Sequence, residues 1–167
     1  MQVLDEKADF KQTVERYKNT VYGAVLASLN NKADADDVFQ ETFLLYYKKD
    51  LYFENEAARK AWLIKTALTL CKKANMSIWS IRVDRLDDKE NELVGEDMLS
   101  ESENDVMQAV RSLDRKLREP TYLYYFEDMT IKEIAQILGI KSGAVQVRLV
   151  RARKLLKEKL KGEYFYE

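Results

Sequence analysis

Between Phe10 and Leu29, apolar side chains return every three or four residues: Phe10, Val14, Tyr17, Val21, Tyr22, Val25, Leu26 and Leu29. That spacing puts them on one face of a helix, which Asn30-Asn31 ends. A second helix is expected from about Ala33 to Lys49, with Val38, Phe39, Thr42, Phe43, Leu45 and Tyr46 as its apolar positions. Asp34, Asp36 and Asp37 stand at its start and Lys48-Lys49 at its end, the polarity that complements the helix dipole. Residues 50–56 are a polar break. A third helix follows from about Ala57 to Ala74, with Trp62, Leu63, Thr66, Leu68 and Leu70 as inward candidates; residues 75–83 extend it or form a short further helix. Residues 84–102 keep no period, contain Gly95 and are strongly acidic, as expected of a tether. Helical spacing resumes at Val106, Ala109, Val110, Leu113 and Leu117. Pro120 is expected to end that helix or to open the next, which carries Tyr122 to Phe126, and Asp128 marks a turn.

The clearest local signal follows. Thr130 and Glu133 have the spacing of a capping box, in which each side chain satisfies the other's backbone amide. Ile131, Ile134, Ala135 and Leu138 are expected on the buried face of the helix they open. Gly139 suits the positive-φ position that ends it. In the next helix Val145, Leu149, Ala152 and Leu156 recur at four, three and four residues and face inward. Val147, Val150, Arg151 and Lys154 therefore point outward, with Gln146 and Arg148 on the flanks. Two short helices about a glycine turn, the second carrying arginines, describe a helix-turn-helix reader of duplex DNA. Folding gives no reason for two outward valines, whereas a groove-facing position does. A protein–protein contact through the same helix is the other reading of the pattern.

The expected fold is thus all-α: a helical domain at 1–83, an acidic flexible linker at 84–102, and a second helical domain with the helix-turn-helix at 103–167. Composition agrees, with 34% charged residues but only 5 glycines and 1 proline in 167 residues. The net charge of −1 conceals segregation. Residues 141–161 hold eight Lys or Arg against Glu158 alone, whereas residues 84–105 hold ten acids against Arg85 and Lys89. The basic segment suits phosphates and the acidic one would be repelled by them.

Little else in the chain carries chemistry. It has no histidine and a single cysteine, Cys71, which removes imidazole acid–base catalysis, zinc-finger ligation and an internal disulfide. No nucleophile–base set, phosphate loop or carboxylate pair stands out, and neither enzyme chemistry nor a metal or cofactor is expected. Asp36 and Asp37, adjacent in sequence, do not share a helical face. Asp5, Glu6, Lys7 and Asp9 come before any apolar run, and no uncharged run is long enough to cross a bilayer; a cytoplasmic protein is expected.

Two segments resemble the sigma-70 family of bacterial RNA polymerase sigma factors, in particular its short extracytoplasmic-function group. One is the run from Asn31 to Leu44, similar to the region-two helix that docks on the clamp of the polymerase largest subunit. The other runs from Leu113 through Arg118-Glu119 and Tyr124-Tyr125-Phe126-Glu127 to Leu156, similar to region four, which recognises the −35 promoter element. Ala61-Trp62-Leu63 matches a motif between them.

The resemblance implies a factor that recruits core RNA polymerase to promoter DNA, with Asp36, Asp37, Gln40, Glu41 and Leu44 at the polymerase interface. It sets Lys72, Lys73, Asn75, Met76 and Ser80 at the −10 element. It sets Lys141, Ser142, Gln146, Val147, Arg148, Val150, Arg151 and Lys154 at the −35 element. An anti-sigma protein is an implied partner, and the acidic linker would thread through the polymerase. The rival classes are a stand-alone dimeric helix-turn-helix regulator, for which no dedicated dimerisation helix is present, and a helical adaptor. The chain departs from the family pattern at Asp114, where proline is usual, at Lys141, where a serine cap is usual and Ser142 is the alternative, and at Leu68-Thr69, where Arg-Asn is common.

Overall fold

The computed structural model describes residues 3–49, 51–82 and 101–160, with side chains described over 9–49, 51–76 and 105–160. Seven helices account for the regular structure of these residues, and they fall into two compact units, Met1–Asn91 and Glu92–Glu167.

The first unit packs three helices, each against the other two: α1 (Val3–Ser28), α2 (Lys32–Lys48) and α3 (Glu56–Arg82). Asparagines start the second and third. The Asn31 side chain accepts from the Asp34 amide at 3.0 Å and that of Asn55 from the Ala58 amide at 2.8 Å, each satisfying a first-turn donor. Val21 and Val25 of α1, Leu29 just beyond its end, Ala35 and Phe43 of α2, and Leu63, Ile64, Ala67 and Cys71 of α3 form the core. Ile64, Ala67 and Cys71 replace the expected Trp62, Thr66 and Leu70 as the fully buried positions of α3, because the helix is rotated slightly relative to the face inferred from its largest side chains. The helix also continues without a break to Arg82.

Trp62 instead joins an aromatic group with Tyr46 and Phe53 at the edge of this core. The Tyr46 hydroxyl donates to Asp9 Oδ2 at 2.8 Å, lies 3.2 Å from Thr13 Oγ1, and is met by Arg59. One aromatic ring thereby ties all three helices together through polar atoms at their rim.

The second unit contains α4 (Glu101–Arg111), α5 (Arg115–Tyr125), α6 (Ile131–Leu138) and α7 (Ser142–Lys159). The expected tether at 84–102 lies outside the described residues as far as 100, and its last two residues already belong to α4. Pro120 neither ends nor opens a helix; it sits inside α5. The break comes earlier, at Ser112–Asp114, where the buried Arg118 guanidinium donates to the carbonyls of Arg111 (3.2 Å) and Leu113 (2.9 Å). The carbonyl deprived of a donor by Pro120 belongs to Lys116, an exposed residue. Burial of Pro120, Thr121, Tyr122 and Leu123 on one side of α5 offsets an interior-proline cost of about 3 kcal/mol.

Helix α7 is central to this unit and packs on α4, α5 and α6. Its Ala152 and Leu156 meet Ala109, Val110 and Leu113, while Val145 and Leu149 are buried nearer its start. In α6 the buried residues are Ile134, Ala135 and Ile137, with Ile131 and Leu138 only half-buried. With only eight residues, α6 is enclosed on a broader arc than a single four-residue row predicts.

Candidate nucleic-acid and partner interfaces

The α6–α7 turn is built by local chemistry. Thr130 Oγ1 accepts from the Glu133 amide at 3.1 Å and Glu133 Oε1 from the Thr130 amide at 2.9 Å, completing the capping box. Gly139 closes α6 at φ 70°, a left-handed conformation in which a side chain would be strained. Lys141 is the N-cap of α7 without a side-chain bond, and its carbonyl receives the Ala144 and Val145 amides. Ser142 is the first helical residue, so it does not supply the cap considered for it.

With Val145, Leu149, Ala152 and Leu156 buried, the opposite side of α7 is fixed. Gln146, Val147, Val150, Arg151 and Lys154 are exposed, the two valines at 53% and 58%, and Arg148 is half-buried on the flank. Lys141 and Ser142 are exposed at the start of the same helix. Val147, Val150, Arg151 and Lys154 therefore share the outward side of α7, with Gln146 and Arg148 on its two flanks and Lys141 and Ser142 exposed at its start. Arg153 turns away from them: its Nε donates to the Tyr125 hydroxyl.

On α2, Asp37, Gln40, Glu41 and Leu44 are exposed and fall at intervals of three and four, forming a continuous stripe. Tyr47, exposed and three residues beyond Leu44, lengthens it; the sequence reading does not include Tyr47, although that spacing is its signal. Asp36 differs from the other four. Its carboxylate accepts from the Tyr22 hydroxyl at 2.8 Å and from Lys32 Nζ at 3.1 Å. These bonds, that of Tyr22 foremost, hold Asp36 below the usual carboxylate range, and the Tyr22 bond joins α2 to α1.

On α3, Lys72, Lys73 and Met76 are exposed, Met76 at 66%. Asn75 points elsewhere, its side-chain amide donating to the Ser28 carbonyl at the end of α1 at 3.3 Å. The side chain of Ser80 lies outside the described residues. Leu68 is buried in the core and Thr69 is exposed. Among the described residues, no group of three acidic or cysteine side chains is placed to hold a metal, and no helix is long and apolar enough to cross a membrane.

Residues 13–75 match the family model for sigma-70 region 2, and residues 103–156 match that for sigma-70 region 4. The chain is 30% identical to the ECF RNA polymerase sigma-E factor of Haemophilus influenzae, an alignment covering 93% of this chain and 89% of that one. It is 27% identical to the ECF RNA polymerase sigma factor SigW of Bacillus subtilis, over 91% and 89% of the two. Its fold is similar to that of the sigma factor RpoE solved with the anti-sigma factor NepR from Bartonella quintana, with a TM-score of 0.79, 22% identity, and coverage of 92% and 98%. An exposed α2 stripe in one unit and a helix-turn-helix in the other, both inside the matched regions, lead to one assignment: the chain belongs to the extracytoplasmic-function group of the sigma-70 family and is an RNA polymerase sigma factor.

Proposed function

We propose that this sigma factor meets core polymerase through α2 and promoter DNA through α3 and α7. Asp37, Gln40, Glu41 and Leu44 contact the clamp of the largest subunit, while Asp36 holds their helix from behind through Tyr22. Lys72, Lys73 and Met76 on α3 meet the −10 element, with Asn75 fixing that segment to the end of α1. Lys141, Ser142, Gln146, Val147, Val150, Arg151 and Lys154 meet the −35 element, with Arg148 at the edge. The division into a domain at 1–83 and one that begins with α4 at 101, with 84–100 as a tether threading the polymerase, is part of the same reading.

The observation that carries the promoter contact is the exposure of Val147, Val150, Arg151 and Lys154 on one side of a helix whose other side is fully committed to the core. Cations fix such a helix on phosphates, and short side chains at its start reach base edges. The protein acts by recruitment and base recognition, with no covalent step of its own. It works in the cytoplasm, where polymerase is, and an anti-sigma protein covering these surfaces would silence it; the complex of the structurally similar RpoE with NepR supports such a partner.

Transcription from a library with randomised −35 and −10 positions, by core polymerase with and without this protein, tests the reading. Selective initiation from templates sharing two spaced elements is expected only with the protein present. Equal initiation in both reactions would overturn it.

A further inference from the structure

The outward stripe of α7 has an order along the helix that folding does not require. Gly143, Val147, Val150, Arg151 and Lys154 follow one another at intervals of four, three, one and three residues, so the stripe starts with no side chain, continues with two short apolar ones and ends with long cations. Gly143 is exposed in the first turn, its φ is an ordinary helical one, and a Cβ placed there would meet nothing within 4 Å. Glycine costs helix stability relative to alanine, and neither strain nor crowding inside the protein calls for it. An approaching surface does: glycine permits the closest contact between a backbone and a ligand.

The two valines ask for the same surface. Both are more than half exposed, and each ends in methyl groups only, with nothing to donate or accept. Of the base-pair edges in the major groove, thymine alone offers a methyl group. Val147 and Val150 are separated by about 4.5 Å of helical rise, somewhat more than one base step of about 3.4 Å, which suits methyls on neighbouring base pairs of either strand. Because valine is short, the helix must lie deep for these contacts, and the missing side chain at Gly143 provides the clearance. Arg151 and Lys154, farther along, are then level with the backbone as the helix leaves the groove.

We infer that Val147 and Val150 determine −35 specificity by contact with thymine methyl groups, and that Gly143 is present to let the start of α7 approach closely enough for it. The inference rests on the placement of α7 at the −35 element and adds the chemistry by which it discriminates. The positively charged end of the stripe favours DNA as the occupant over another apolar helix, since residues 141–161 carry eight cations against one acid.

The test uses the full chain with core polymerase on a promoter selected from the randomised library. Thymidines of its −35 element are replaced one at a time by deoxyuridine, which removes the methyl and keeps every hydrogen-bonding group. Two positions are expected at which initiation falls by roughly fourfold, the cost of exposing one buried methyl-sized group. One loss should vanish in Val147→Ala and the other in Val150→Ala. Gly143→Ala should keep or raise the thermal midpoint while lowering initiation by roughly tenfold, as crowding at a close contact does. If deoxyuridine is neutral throughout while base-pair replacements at the same positions matter, methyl recognition is overturned and the −35 placement stands. Deoxyuridine losses that persist undiminished in both valine variants would overturn the assignment to these residues. If no −35 change of either kind has an effect, the placement itself fails.

Discussion

Arg153 Nε donates to the Tyr125 hydroxyl across 2.6 Å, and its guanidinium carbon lies 5.9 Å from the centre of the same ring. A cation on the reader helix is thus engaged with the end of α5, 28 residues away, while Arg151, two positions earlier, faces outward.

Arg151 and Arg153 should therefore part company under salt. Arg151→Ala is expected to lower the slope of log affinity against log salt for promoter DNA by about one. Arg153→Ala should leave that slope unchanged and lower the stability of the second unit by about 0.5–1 kcal/mol, the range for an exposed cation–π contact. Binding titrations at several salt concentrations, with a thermal melt of each variant, give both quantities.

The α2 stripe predicts a loss of partner binding without a loss of fold. Replacing Asp37, Gln40 and Glu41 together by alanine should weaken the complex with core polymerase by at least about tenfold, or roughly 1.4 kcal/mol. The melting transition should stay close to wild type, because all three side chains are exposed. A pull-down titration against core polymerase checks the first, and unaltered affinity would rule the stripe out.

Asp36 and Glu56 give the first unit an acid-sensitive component. Each carboxylate is held below its ordinary range chiefly by a tyrosine hydroxyl, Tyr22 for Asp36 and Tyr17 for Glu56. A depressed folded-state value means that the stabilisation is complete above the ordinary carboxylate value near 4 and is lost as pH falls through the lowered one. Tyr22→Phe should consequently be less stable than wild type at neutral pH, and the two should converge on strong acidification. Urea midpoints measured from pH 7 to pH 2 would show it; a gap that widens toward low pH would contradict the assignment.

Arg118 predicts a defect confined to the second unit. Arg118→Met leaves the Arg111 and Leu113 carbonyls without their donor in a buried setting, at a cost on the order of 2–3 kcal/mol. Hydrogen exchange should accelerate in α4 and α5 and remain unchanged in α1 to α3.

Patterns that repeat along one helix were legible in the sequence, and so were end signals contained within a few residues. The capping box at Thr130 and Glu133, the left-handed Gly139 and the inward row Val145, Leu149, Ala152 and Leu156 belong to these classes. What escaped depends on partners remote in the chain. Asp36 and Asn75 resemble surface polar residues until Tyr22 and Ser28 are brought beside them. Pro120 suggests a boundary because its local effect is unfavourable, yet α5 is set by burial against its neighbours and the real boundary by a side chain four residues past it, Arg118. Gly143 could not be told from an ordinary turn glycine until the space around it was known.

The closed hydrogen bonding around the α6–α7 turn has a thermodynamic consequence. With the capping box complete, the Gly139 and Ile140 amides both on the Ala135 carbonyl, and the first α7 amides on Lys141, this element reaches DNA already rigid. Its docking should carry no heat-capacity signature of coupled folding, only that of the surface it covers. Whatever selectivity it has then comes from side chains already held in place and from deformation of the DNA, not from ordering of the protein on contact.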